Sequence, residues 1–142
     1  MSTVELYRES YRLLTAADGE FGARERVTWA EAGRLPLCLL TPDMQNRRIV
    51  DQLLRASGTD VAPTLVSNSM QVLLSHVRTG RWSSVMPTIL VETLGVGERV
   101  RPIPIVEPDA QHTVGLVTPR REPQTPLVAA LMTEARRFAA RG

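Results

Sequence analysis

The chain has 142 residues, a net charge of only +2 and 43% apolar residues, ordinary values for one globular domain or a large piece of one. No apolar run approaches the roughly 20 residues of a membrane-spanning helix, and Met1-Ser2-Thr3-Val4-Glu5 lacks the basic and apolar regions of a secretion signal, so a cytoplasmic location without membrane contact is expected. All 17 basic residues are arginines, dispersed in small pairs such as Arg47-Arg48, Arg120-Arg121 and Arg136-Arg137, and aromatic residues to stack on bases are few, which argues against direct nucleic-acid binding.

Residues 5–17 read as extended around Leu13-Leu14, and Asp18-Gly19-Glu20 marks a turn. Thr28-Trp29-Ala30-Glu31 has the spacing of a capping box, predicting a short helix over 29–32 that stops at Gly33. Leu37-Cys38-Leu39-Leu40 is apolar at every position, as a strand covered on both faces must be. After Thr41-Pro42-Asp43 a helix is expected over 43–57. Its apolar stripe is Ile49, Val50, Leu53 and Leu54, its solvated side Arg48, Asp51, Gln52 and Arg55, and its stop Gly58. A second strand is expected over 61–66.

Asn68 and Gln71 resemble a further capping box, and Met70, Leu73, Leu74 and Val77 recur at helical spacing before Gly80. Residues 82–86 fit a third strand, and Pro87 opens a small helix to about Leu94, broken by Gly95 and Gly97. Pro102 and Pro104 assign 100–106 to an edge or crossing segment. Residues 113–118 read as another strand. Thr125-Pro126 then starts a helix with Leu127, Leu131, Ala135 and Phe138 as its expected buried face and Arg136, Arg137 and Arg141 toward its end.

Strands alternating with helices argue for a parallel sheet covered by helices, whose ligands gather beyond the carboxyl ends of the strands. Thr41, Asn46 and Arg47 stand at the first such end, Asn68 and Ser69 at the second, and Ser83, Ser84 and Pro87 at the third. Free amides at a helix start and the Arg47 guanidinium suit a carboxylate. Capping and a solvated arginine are the plain alternatives, and Trp82 reads as core or cleft wall.

No reaction centre can be written. Cys38 lies alone inside an apolar run, as buried thiols do. His76 and His112 have no partner at metal-ligand spacing. Gly95-Val96-Gly97-Glu98 is a turn rather than a phosphate loop, and neither Ser57-Gly58 nor Ser83-Ser84 has the pattern around a serine nucleophile. No enzyme, cofactor or metal is expected.

The order of these signals resembles the C-terminal effector-binding region of LysR-type transcriptional regulators. The resemblance is carried by Leu6-Tyr7-Arg8-Glu9 with Leu13-Leu14, by Val27 to Glu31 with Leu35-Pro36-Leu37, and by Asn46 to Asp51. Ser67 to Met70, Val77-Arg78-Thr79-Gly80, Met86-Pro87, His112 to Val117 and the 125–141 helix complete it. Trp82 departs from the family's usual second glycine.

The resemblance implies an α/β fold like the type 2 periplasmic binding proteins. Residues 1–142 would form part of an effector-binding domain, mainly its second lobe plus the C-terminal strand and helix, with a partly parallel sheet flanked by helices. It also implies a small, anionic effector as ligand, a homo-oligomer, and DNA contact only through an N-terminal domain without counterpart in this sequence. Ile49, Val50, Leu53, Leu54 and Leu65 match the family's dimer face. With the first lobe missing, their apolar side would be left uncovered and favour self-association. A stand-alone small-molecule-binding or protein-interaction module is the alternative.

Overall fold

In chain order the elements are β1 (Ser2–Glu9), β2 (Tyr11–Ala16), β3 (Val27–Thr28), α1 (Trp29–Ala32), β4 (Cys38–Leu40), α2 (Gln45–Ala56), β5 (Leu65–Ser67), α3 (Met70–Val77), β6 (Ser84–Pro87), α4 (Thr88–Leu94), β7 (Val100–Val106), β8 (His112–Thr118) and α5 (Pro126–Arg141). They come from a computed structural model that describes residues 1–120 and 123–141, so Arg121 of the arginine pairs lies outside the described residues. The chain divides into two units: Ser10–Ala110, and Met1–Glu9 with the segment from Gln111 onward.

In the Ser10–Ala110 unit, strand alternation sends successive side chains to opposite faces of the sheet. Leu13, Leu37 and Leu39 enter one core with Trp29, Val50 and Leu54. Leu14, Cys38 and Leu40 enter a second core with Leu73, Leu74, Val77 and Val91. This explains the unbroken apolar run of β4, which α2 covers on one side and α3 on the other. Strands β3, β7, β2 and β6 form one sheet in that order. The β4–β5 pair is parallel, and a parallel bridge between Leu37 and Ser83 lies beside β6. Cys38 N donates to Ser83 O and Ser83 N to Pro36 O, both at 2.9 Å. β6 itself runs antiparallel to β2, so the sheet is mixed, parallel only in part.

Three expectations need correction here. The strand foreseen over 61–66 shrinks to Leu65–Ser67: Pro63 has no donor, and the pairing begins with Thr64 N on Leu37 O at 3.1 Å. β7 is interior, pairing with both β2 and β3 despite its two prolines. Pro102 and Pro104 alternate with Arg101 and Ile103, so the ladder to β2 can draw on the residues between them. The two-residue β3 meets β7 beyond both prolines, at Ile105 and Val106. The expected dimer face is core at Val50 and Leu54, which are buried; Ile49 and Leu53 are half-buried against the same core and Leu65 against the second.

The remaining unit holds β1 antiparallel to β8, from Ser2↔Thr118 to Glu9↔His112, with an irregularity between Glu5 and Tyr7. At the last rung, His112 Nε2 lies 3.0 Å from the buried Glu9 carboxylate. Helix α5 starts as expected, Thr125 Oγ1 accepting from Val128 N at 3.3 Å. Of its expected buried face Ala135 is buried, joined by Met132, while Leu127, Leu131 and Phe138 stay largely exposed. The covered stripe is thus Val128, Met132, Ala135 and Ala139, one residue around the helix from the expected one.

Candidate functional site

Register decides which polar residues meet. β4 and β5 run side by side with Leu40 opposite Ser67, and the Leu37–Ser83 bridge continues the same direction toward Pro87. β2 begins where β6 ends, Tyr11 opposite Pro87. Thr41, Asn68, Ser69 and Pro87 therefore share one edge of the Ser10–Ala110 unit, at the carboxyl ends of three strands. β3 and β7 end beside each other on this edge too, at Thr28 and Val106. Trp29 Nε1 donates to Pro108 O at 3.1 Å and ties down the segment leaving β7.

The edge is rich in hydroxyls that already bond one another. Ser10 Oγ and Thr88 Oγ1 are 2.9 Å apart, and Thr88 N donates to Ser10 O at 2.9 Å. Ser67 Oγ accepts from Ser69 N at 3.1 Å, and Ser69 Oγ accepts from Val72 N at 3.3 Å. Ser69, not Asn68, is thus the cap of α3, which corrects the predicted capping box and leaves Asn68 exposed to solvent. The Thr41 hydroxyl bonds the Asp43 carboxylate, the main reason that Asp43 titrates below its ordinary value. Met44 precedes α2 without any side-chain cap bond, so first-turn amides of that helix lack a side-chain acceptor. Ser10 and Thr88 were missed in the sequence. The signal was a serine between two extended runs and a threonine directly after the proline that ends β6.

Two predicted ligand residues have other partners. Arg47 is buried; its Nε donates to Asp51 Oδ1 and its Nη1 to Leu40 O, each at 2.7 Å. The guanidinium clamps the end of β4 to α2 rather than reaching outward as a solvated cation. Asn46 and Arg47 line a recess of only about 10 Å³ with Leu39, Val50 and Val85, room for about one water. Ser84 begins β6 instead of ending it, is fully buried, and donates to Cys38 O at 2.7 Å. Ser83 is likewise buried, 2.9 Å from Thr15 Oγ1. Pro87 sits at the right edge but is buried. Of the two roles expected for Trp82, core or cleft wall, the structure shows the first: it packs against the second core, and its Nε1 donates to Thr64 Oγ1 at 2.8 Å.

Cys38 is buried, and desolvation pushes its thiol up to about 11, so it stays protonated and unreactive at neutral pH. Among the described residues no three His, Cys, Asp or Glu side chains come together as a metal site. Among the described residues no helix is long and apolar enough to cross a membrane.

A family model described as the LysR substrate binding domain matches residues 1–140. A probable nitrogen assimilation transcriptional activator of Synechococcus elongatus is 23% identical over 123 residues, which cover 87% of this chain and 40% of that protein. The reduced OxyR regulatory domain from Pseudomonas aeruginosa superposes with a TM-score of 0.77 at 23% identity, over 98% of this chain and 66% of that one. The effector-binding domain of QuiR, solved with shikimate, gives 0.78 at 13% identity, over 99% and 66%. CbnR, a LysR family transcriptional regulator, gives 0.75 at 18%, over 97% and 47%. At these identities the superpositions establish the fold, a type 2 periplasmic-binding-protein-like α/β arrangement.

Proposed function

The chain belongs to the LysR substrate-binding-domain family, and on that basis we propose that it is the effector-sensing part of a LysR-type transcription regulator, receiving a small anionic ligand at the carboxyl edge of the Ser10–Ala110 unit. The observation that carries this reading is the convergence of Ser10, Thr41, Ser67, Asn68, Ser69 and Thr88 on that one edge. The uncapped first turn of α2 suits a carboxylate. Thr41, Ser69 and the exposed Asn68 suit ligand hydroxyls. Asn46 stands in that first turn, and Pro87 gives the edge an apolar floor. Arg47 contributes by fixing the Leu40 carbonyl, not by meeting the anion.

Sensing then works as a population shift: a ligand that binds one arrangement of the regulator more tightly raises its share and so alters how DNA-binding parts are presented. DNA contact belongs to a separate domain of a longer protein, which works in the cytoplasm as a homo-oligomer. The role is binding rather than turnover.

A thermal-shift series tests this with shikimate, the hydroxylated carboxylate held by the QuiR domain, beside succinate and a neutral polyol. A carboxylate should raise Tm by a few degrees at saturation. Thr41→Val with Asn68→Ala should remove that shift while leaving the ligand-free Tm near the parent value. Stabilisation by the polyol alone, or a shift that survives both substitutions, would sink the proposal.

A further inference from the structure

The carboxyl edge of the Ser10–Ala110 unit carries an exposed negative charge of its own. Between β4 and α2 the chain makes a tight turn, Thr41-Pro42-Asp43-Met44, closed by Met44 N donating to Thr41 O at 3.1 Å. Asp43 stands at its third position, exposed to solvent, and its carboxylate accepts the Thr41 hydroxyl and its own amide. Those two bonds, with Arg48 acting through its charge, keep the group ionised at neutral pH. Asp43 precedes the first residue of α2 by two positions, so their Cα atoms are at most about 7 Å apart. Two guanidiniums of this region are engaged elsewhere: Arg47 bonds Asp51 and Leu40 O, and Arg12 bonds Pro102 O. Across the edge, the segment leaving β7 adds Glu107 and Asp109, both exposed.

Resting on the proposal that this edge receives a carboxylate, we infer that the ligand is an α-amino acid, its ammonium group taken by Asp43 and Thr41 while its carboxylate lies at the first turn of α2. The hydrogen-bond inventory selects the ammonium. Because the Thr41 hydroxyl gives its proton to Asp43, both groups present only lone pairs, and an ammonium brings three donors and no acceptor. A bare carboxylate meets two opposing effects here. The uncapped amides of α2 attract it, and Asp43, on the order of 6 Å away, repels it. An ammonium on the neighbouring carbon turns that repulsion into attraction, because the cation stands between the two negative groups. At this separation, near solvent, replacing the ammonium by a hydroxyl changes affinity by about tenfold. The Ser69 hydroxyl, which accepts from Val72 N, keeps its proton to donate, and with the exposed Asn68 amide it suits a polar amino-acid side chain.

Isothermal titration calorimetry of the full chain with matched acids tests the assignment: L-serine against L-glycerate, and L-glutamate against L-2-hydroxyglutarate, each pair exchanging an ammonium for a hydroxyl. In the parent chain the amino acid should bind about tenfold tighter than its hydroxy partner. Asp43→Asn retains an acceptor for the Thr41 hydroxyl and removes the charge. It should level each pair, weakening the amino acid and leaving the hydroxy acid unchanged or tighter. Asp43 is exposed, so folding is preserved, as circular dichroism can verify. Amino acids that bind no tighter than their hydroxy partners, or a preference that survives Asp43→Asn, would overturn the inference. Shikimate or succinate binding alongside that result would leave the carboxylate site standing, whereas every acid inert would remove the site and the inference together.

Discussion

Glu31 serves two structures at once. Its Oε1 accepts from Thr28 N at 3.0 Å as the returning half of the capping box, and both carboxylate oxygens receive the Arg24 guanidinium at 2.9 and 3.0 Å. The Arg24 bonds, followed by the Thr28 amide, hold its pKa at about 2 against an ordinary 4.5. Because the folded value is the lower one, the stabilisation is fully present above the unfolded value and is lost as pH falls toward the folded one. Glutamine at this position keeps a capping group but not the charge. Glu31→Gln should therefore lower the urea midpoint at pH 7, with the gap to the parent closing from about pH 4.5 down to about pH 2. A gap unchanged between pH 7 and pH 3 would mean that the carboxylate contributes through shape alone. Arg24 is nearly half exposed, so the effect is small and salt-sensitive.

Among the elements, the β1–β8 ladder depends on a single missing side chain. A Cβ on Gly115 would come within 2.8 Å of the Val4 carbonyl oxygen, a backbone atom that cannot swing aside. Alanine ordinarily suits a strand better than glycine, so substitution there would help slightly if space allowed. Here the clash outweighs that gain, and Gly115→Ala should destabilise this unit by about 1–3 kcal/mol, read as faster amide exchange confined to β1, β8 and α5. Unchanged exchange would show that the rung yields at no cost. The same distinction between local and distant causes decides what was legible in the sequence. The Thr28 capping box and the Leu73, Leu74 and Val77 face of α3 follow from spacing along one segment, and both formed as read. The covered face of α5 was not legible, since its two apolar stripes are adjacent and only the position of the β1–β8 pair selects between them. Arg47 and Ser84 looked like ligand groups because the carbonyls they bond, Leu40 O and Cys38 O, reach them through tertiary packing. Thr41 and Asn68 were placed on one edge correctly because each follows a strand of the same parallel pair.

At the scale of the whole molecule, the two units differ sharply in what holds them. Among the described residues, the Ser10–Ala110 unit contains nearly every buried apolar side chain, in two cores on either face of its sheet. The other unit contributes Met132 and Ala135, beneath a two-stranded sheet of a kind that is marginal by itself. Local opening free energies follow buried apolar contact, so cooperative opening should be cheaper in β1, β8 and α5 than in β2, β4 and β6. Native-state hydrogen exchange at low protein concentration should accordingly find the first group exchanging at least tenfold faster than the second. Equal protection of both groups at low concentration would mean that the β1–β8 pair and α5 draw their stability from the larger core, and that the chain opens as a single cooperative body.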